Sequence, residues 1–161
     1  MGMVKMAPCV TELRGQEMGT SYEKDVVAWA KEQVALLRAG NLSAIDVEHI
    51  AEEIEDVGKS EQRELASRMT VLLAHLLKWQ YQAKYRGKSW TRTIAVQRKD
   101  VAYVLNEAPS LRGKFNDVQW LDVVWSKAVL SAENETELEG VFPESCPWTM
   151  EQVMDPAFLP E

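Results

Sequence analysis

An all-α fold, a single-domain helical bundle of about four main helices with one of them long, is what this sequence predicts. Three observations carry the prediction. Apolar residues recur at three- and four-residue spacing almost throughout, and no stretch alternates as a strand would. Only 8 glycines and 6 prolines occur in 161 residues, and four of the prolines (Pro143, Pro147, Pro156, Pro160) fall near the C-terminus, predicting an irregular final segment. With 46% hydrophobic and 27% charged residues, the chain is long enough to bury a core without staples.

The elements follow in order. Residues 1–19 contain no apolar stretch of signal-peptide type and are expected to be a loosely held tail, leaving 20–161 as the domain. Thr20-Ser21-Tyr22-Glu23 fits a capping box, so the first helix is expected to start at Thr20. Its inward face would be Tyr22, Val26, Trp29, Ala30, Gln33 and Leu37, and Gly40-Asn41 would stop it. The second segment runs from about 44 to 81. Its apolar face, Val47, Ile50, Ile54, Val57, Leu65, Leu72, Leu76 and Trp79, stays in phase at about 100° per residue. Phase kept across Gly58 predicts one unbroken helix.

Residues 82–88 read as a basic loop, and Ser89 as the cap of a third helix with Trp90, Ile94, Val101, Leu105 and Ala108 inward. Pro109 stops that helix, and a short turn follows through Phe115. A fourth helix is expected over 117–138, with Val118, Leu121, Val124, Trp125, Ala128, Val129 and Ala132 inward and Gly140 ending it. Thr149-Met150-Glu151-Gln152 is a second capping box, for one or two closing turns.

Charge is unevenly spread beneath the net −7. Residues 1–77 carry 8 basic and 13 acidic groups, 78–114 carry 9 and 2, and 115–161 carry 1 and 10. Overall acidity argues against non-specific binding to polyanions, with the middle block the exception. No apolar run approaches roughly 18 residues, so no membrane span is expected. Cys9 and Cys146 share no metal-type spacing and read as reduced thiols of a cytoplasmic protein.

Several stretches are distinctive together: YEKDVVAWAKEQVALLRAG at 22–40, DVEHIAEEIEDVGKSEQREL at 46–65, HLLKWQYQ at 75–82, SWTRTIAVQR at 89–98, APSL at 108–111 and FPESCPWTMEQVMDPAFLP at 142–160. In these the chain resembles the bacterial "domain of unknown function 29" family, over about residues 21–160. The resemblance implies a helical fold and a bacterial source. It implies no activity, so no catalytic residue is carried over.

Three constellations could carry chemistry. The first is a polar stripe within the apolar face of the long helix. Glu61, Arg68 and His75 are spaced by seven, Asp46, Glu53 and Glu64 edge that face, and Gln97 and Arg98 flank the stripe of the third helix. Buried charges need partners, so Glu53, Glu61, Arg68, His75, Gln97 and Arg98 are expected to form a buried network.

The second is the acidic run His49, Glu52, Glu53, Glu55 and Asp56. Carboxylates one turn apart can share Mg²⁺ or Mn²⁺, as in all-α nucleotide pyrophosphatases with paired Glu-x-x-Glu and Glu-x-x-Asp. Glu52-x-x-Glu55 and Glu53-x-x-Asp56 have that spacing, so His49, Glu52, Glu53 and Asp56 are the metal candidates, although a solvated helix face explains them as well. No cofactor is otherwise expected.

The third is the basic, aromatic stretch 78–99. Lys84, Arg86, Lys88 and Arg92 form its patch, with Trp79, Tyr81, Tyr85 and Trp90 interleaved. Cations that track phosphates and rings that stack on bases are the pattern of nucleic-acid contact. The same charges also suit an acidic protein partner. The sequence favours a non-enzymatic helical interaction or accessory protein with a protein partner. A metal-dependent nucleotide hydrolase is the alternative, and nucleic-acid contact the third reading. Oligomeric state stays open at this point.

Overall fold

Every regular element of the described residues, 19–161 of the computed structural model, is helical. The four main helices are α1 (Val26–Arg38), α2 (Val47–Tyr81), α3 (Lys88–Glu107) and α4 (Val118–Thr136), and a short α5 (Met150–Met154) follows. Single 3-10 stretches lie at Ala83–Tyr85 and Pro109–Asn116. The expected tail at 1–19 lies, but for Gly19, outside the described residues. The chain divides into two compact units, one ending at Ile54 and the other spanning Glu55–Glu161.

Most of the sequence expectations for the elements stand. The long helix is unbroken through Gly58, and at 35 residues it is about 52 Å long. The Thr149 capping box forms, with the Gln152 amide on Thr149 Oγ1 at 3.2 Å and the Thr149 amide on Gln152 Oε1 at 3.0 Å.

Three boundaries differ. Helix α1 starts at Val26 because Asp25, with a non-helical backbone, accepts from the Val27 and Ala28 amides at 3.1 and 2.9 Å. Thr20 caps nothing, and its amide donates instead to Glu32 at 2.8 Å. The cap of helix α3 lies two residues before the expected one, with Gly87 as N-cap and Ser89 inside. Helix α4 ends at Thr136 because Glu137 adopts the left-handed conformation (φ 59°), ahead of Gly140.

The second unit holds the core. From Leu65 onward one face of α2 is covered, with Leu65, Met69, Leu72 and Leu76 each fully buried. Ile94, Val101 and Leu105 of α3, Val124, Trp125 and Ala128 of α4, and Val153 of α5 complete it. Trp125 Nε1 donates to the Pro143 carbonyl at 3.0 Å, holding the proline-rich segment to α4.

The first unit is built differently. Gln33 of α1 accepts the Asp46 amide on Oε1 at 2.8 Å, and Trp29 Nε1 donates to Asp46 Oδ2 at 3.2 Å. Further along, Tyr22 donates to Glu53 Oε1 at 2.6 Å. Early residues of the first segment thus meet late residues of the second, so α1 and the first turns of α2 run antiparallel as a hairpin. Among the described residues Trp29 is its one buried apolar residue.

Candidate functional site

The hairpin gathers the polar groups at the start of α2. Asp46 caps that helix, with Oδ1 accepting the His49 amide at 3.3 Å. Its Oδ2 lies 2.7 Å from His49 Nδ1. Tyr22 stacks on the His49 ring at 4.3 Å and meets Trp29 edge-on at 4.9 Å. A cleft of about 480 Å³ opens beside them, lined by Tyr22, Trp29, Gln33, Asp46 and His49 among others.

Electrostatics follow from that geometry. The Asp46 hydrogen bond, with nearby Glu52 and Glu48, raises the His49 pKa above its ordinary value against some desolvation. For Asp46, desolvation pushes the carboxyl up, but hydrogen bonds from His49 and Trp29 hold it below the usual range. The pair therefore favours imidazolium and carboxylate together. The three rings pack on one another, so this cluster serves first as the hairpin's own small core.

The acidic run does not converge. His49 is turned to Asp46, Glu53 accepts from Tyr22, and Asp56 accepts from Lys59 at 3.2 Å, while Glu52 is exposed. Among the described residues no three His, Cys, Asp or Glu side chains are grouped to hold a metal ion.

The expected buried network separates into independent arrangements. Glu61 is exposed, because no residue of α2 before Leu65 is buried. Arg68 is half-buried and pairs with Glu64 at 2.8 Å and with Asp100 of α3 at 3.1 Å. His75 bonds the Val71 carbonyl through Nδ1 at 2.9 Å, and desolvation lowers its pKa. Gln97 is buried, and its Oε1 has no partner among the described residues. Glu53 belongs to the hairpin. None of these side chains meets Arg98.

Arg98 is a structural clamp. Its buried guanidinium donates to the carbonyls of Val153, Pro156 and Phe158 at 2.8, 3.4 and 2.7 Å. Five donors in a fixed fork suit three backbone acceptors spread over six residues. Desolvation lowers its pKa, with Asp155 opposing. Lys78, read from the sequence as the first cation of the basic stretch, is instead buried, ion-paired to Glu135 and set over the Trp90 ring at 5.3 Å.

In the basic segment Lys84, Arg86, Lys88 and Arg92 are all exposed. Its tryptophans are already engaged by cations of the same chain. Arg86 lies 5.2 Å from the Trp79 ring and donates to the Trp79 carbonyl at 2.7 Å, and Lys78 sits over Trp90. Tyr85 is its most exposed ring.

A different feature emerges where the polar sites do not. Val27, Val34 and Leu37 of α1 are exposed, as are Val47 and Ile54 of α2, the last two at 64% and 67%. These positions belong to two heptad-type series, Val27-Ala30-Val34-Leu37 and Val47-Ile50-Ile54. Tyr22, Trp29 and Gln33 mark the first segment's inner face, so Leu37, expected on that face, is exposed instead and belongs with Val27, Ala30 and Val34 to a second apolar face. The spacing of Val27, Ala30, Val34 and Leu37 was the signal that could have found it.

No described helix is long and apolar enough to cross a membrane. A family model described as "Domain of unknown function DUF29" matches residues 21–159. No curated protein and no solved structure matches the chain.

Proposed function

The chain belongs to the Domain of unknown function DUF29 family, whose description assigns no activity, and from that premise we propose that it is a non-enzymatic interaction protein of the bacterial cytoplasm that docks through the hairpin of α1 and the first turns of α2. The observation that carries this is the run of exposed apolar residues on both helices of a hairpin whose own core contains a single buried apolar residue. Apolar area left in water on a small, thinly packed element is the signature of a surface completed by a partner. Cys146, an unpaired thiol, fits a reducing compartment.

Photocrosslinking tests the reading. A benzophenone amino acid replacing Val34 or Ile54 in the living bacterium should give discrete protein crosslinks. The same probe at Glu52, on the polar side of α2, should give none. Equal labelling from all three positions, or none from any, would remove the hairpin as a docking surface.

A further inference from the structure

Within Glu55–Glu161 a cleft of about 530 Å³ opens between the start of α4 and residues 145–151. Leu73, Phe115, Trp125 and Trp148 give it apolar walls. Trp125 and Trp148 meet edge-on at 5.9 Å, with 83° between their planes, and form one corner. Separate contacts hold these walls. Trp125 Nε1 donates to the Pro143 carbonyl at 3.0 Å, the Thr149 capping box fixes the start of α5, and Lys114 pairs with Asp117 at 3.0 Å. A cleft of this volume with walls already in place has the form of a small-ligand site.

Its charge is of one sign. Asp122 of α4 and Glu151 of α5 line it, both exposed, and among the described residues neither carboxylate has an ion-pair partner. No described lysine, arginine or histidine lines it. Arg112 lines a smaller adjoining cleft that shares Glu151, but it donates to Asn106 Oδ1 at 3.1 Å. Residues 115–161 carry 1 basic and 10 acidic groups, so the surrounding field also favours a cation. The rings repeat the pattern. Lys78 sits over Trp90 and Arg86 beside Trp79, whereas among the described residues no cation of the chain lies over Phe115, Trp125 or Trp148.

We infer that this cleft binds a small organic ammonium ion with an apolar body. The apolar body packs on the aromatic walls, and the positive head supplies the charge that Asp122 and Glu151 lack. Other occupants fit less well. An anion would meet two carboxylates and no cation. A hard dication wants about six oxygen ligands, and no three carboxylates or other metal-ligating side chains are grouped here among the described residues. A neutral apolar molecule would use the walls and leave both carboxylates without a partner. The site uses no residue of the α1–α2 hairpin, so it goes beyond the docking reading and does not depend on it.

Isothermal titration calorimetry of the full chain tests this with three probes that share a phenyl ring: phenethylammonium chloride, phenethyl alcohol and sodium hydrocinnamate. The ammonium is expected to bind with a Kd below about 1 mM, roughly tenfold or more tighter than the alcohol, and the carboxylate probe not at all. The double variant Asp122→Asn/Glu151→Gln should weaken the ammonium about tenfold and leave the alcohol within about threefold. Both side chains are exposed, so these near-isosteric changes leave the fold intact. Cys146 also lines the cleft and is half-buried, so it reports on location. Saturating ammonium should slow its alkylation by N-ethylmaleimide, read by peptide mapping, about threefold or more. No ammonium binding at about 10 mM would overturn the inference, as would equal affinity for the three probes. Binding that ignores the carboxylate changes, or leaves Cys146 unprotected, would place the ligand elsewhere and overturn it too.

Discussion

At the scale of single residues, two groups do work that their side-chain chemistry makes measurable. Arg98 ties the last residues of the chain to α3 through three backbone carbonyls. Arg98→Met keeps most of the apolar stem and leaves those acceptors without their donor. The expected loss is about 2–3 kcal/mol in urea denaturation. A loss under about 0.5 kcal/mol would show that the clamp is dispensable. The two histidines offer a test of opposite sign. His49 has a raised pKa, so its contribution is complete below the unfolded value near 6.5 and fades as pH rises through the folded value. The lowered Asp46 contributes above its unfolded value near 3.9 and fades as pH falls, so the pair is at its best between about pH 4 and 6.5. His75 is desolvated and favours the neutral ring, so its site costs stability as pH falls from about 6.5 through its folded value. Proton NMR should place the two titrations on opposite sides of 6.5. Asp46→Asn should bring His49 back and leave His75 in place. Coincident titrations would contradict both assignments.

At the scale of elements, α2 holds the most information. Apolar residues keep phase along its whole length, yet Val47 and Ile54 are exposed and Leu65 and Leu72 are fully buried. Periodicity alone could not distinguish the two parts. It reports which side of a helix is apolar, whereas burial depends on what another element lays against that side. Glu61 shows the consequence: it is in phase with Leu65 and Leu72 but lies before the covered part, so it stays in water. Gly58 sits inside this helix with no atom within 4 Å of where a Cβ would project. Its backbone is helical, so Gly58→Ala should restrict the unfolded chain at no steric cost and stabilise the protein by about 0.5–1 kcal/mol. A destabilised variant by urea denaturation would contradict this reading of the open helical position.

At the scale of the whole molecule, the two units rest on unequal foundations. Glu55–Glu161 has a core drawn from α2, α3, α4 and α5, and the hairpin has Trp29 and a few hydrogen bonds. Opening free energies follow buried apolar contact, so they should differ along one and the same helix. Hydrogen exchange should show amides of 69–80 protected to near the global limit and amides of 26–54 far less. Uniform protection along α2 would count against the thin hairpin core.

The sequence by itself determined the helical class, the four main helices, the unbroken run across Gly58 and the Thr149 cap. All of these rest on interactions within a few residues, where propensity, phase and capping act directly. Local signals misled at helix ends, as where Asp25 took the α1 cap that Thr20-Ser21-Tyr22-Glu23 also offered and Gly87 replaced Ser89 as the cap of α3. Tertiary structure decided the rest. Arg68 pairs with Asp100 and Lys78 with Glu135, partners 32 and 57 positions away, and Arg98 finds carbonyls 55 to 60 positions on. His49 and Glu53 were legible as polar groups on one acidic helix, but the approach of Tyr22 and Trp29 gave them their roles. A side chain's local spacing fixes the direction in which it points. Its partner is fixed by the long-range packing of the chain, to which no local pattern refers.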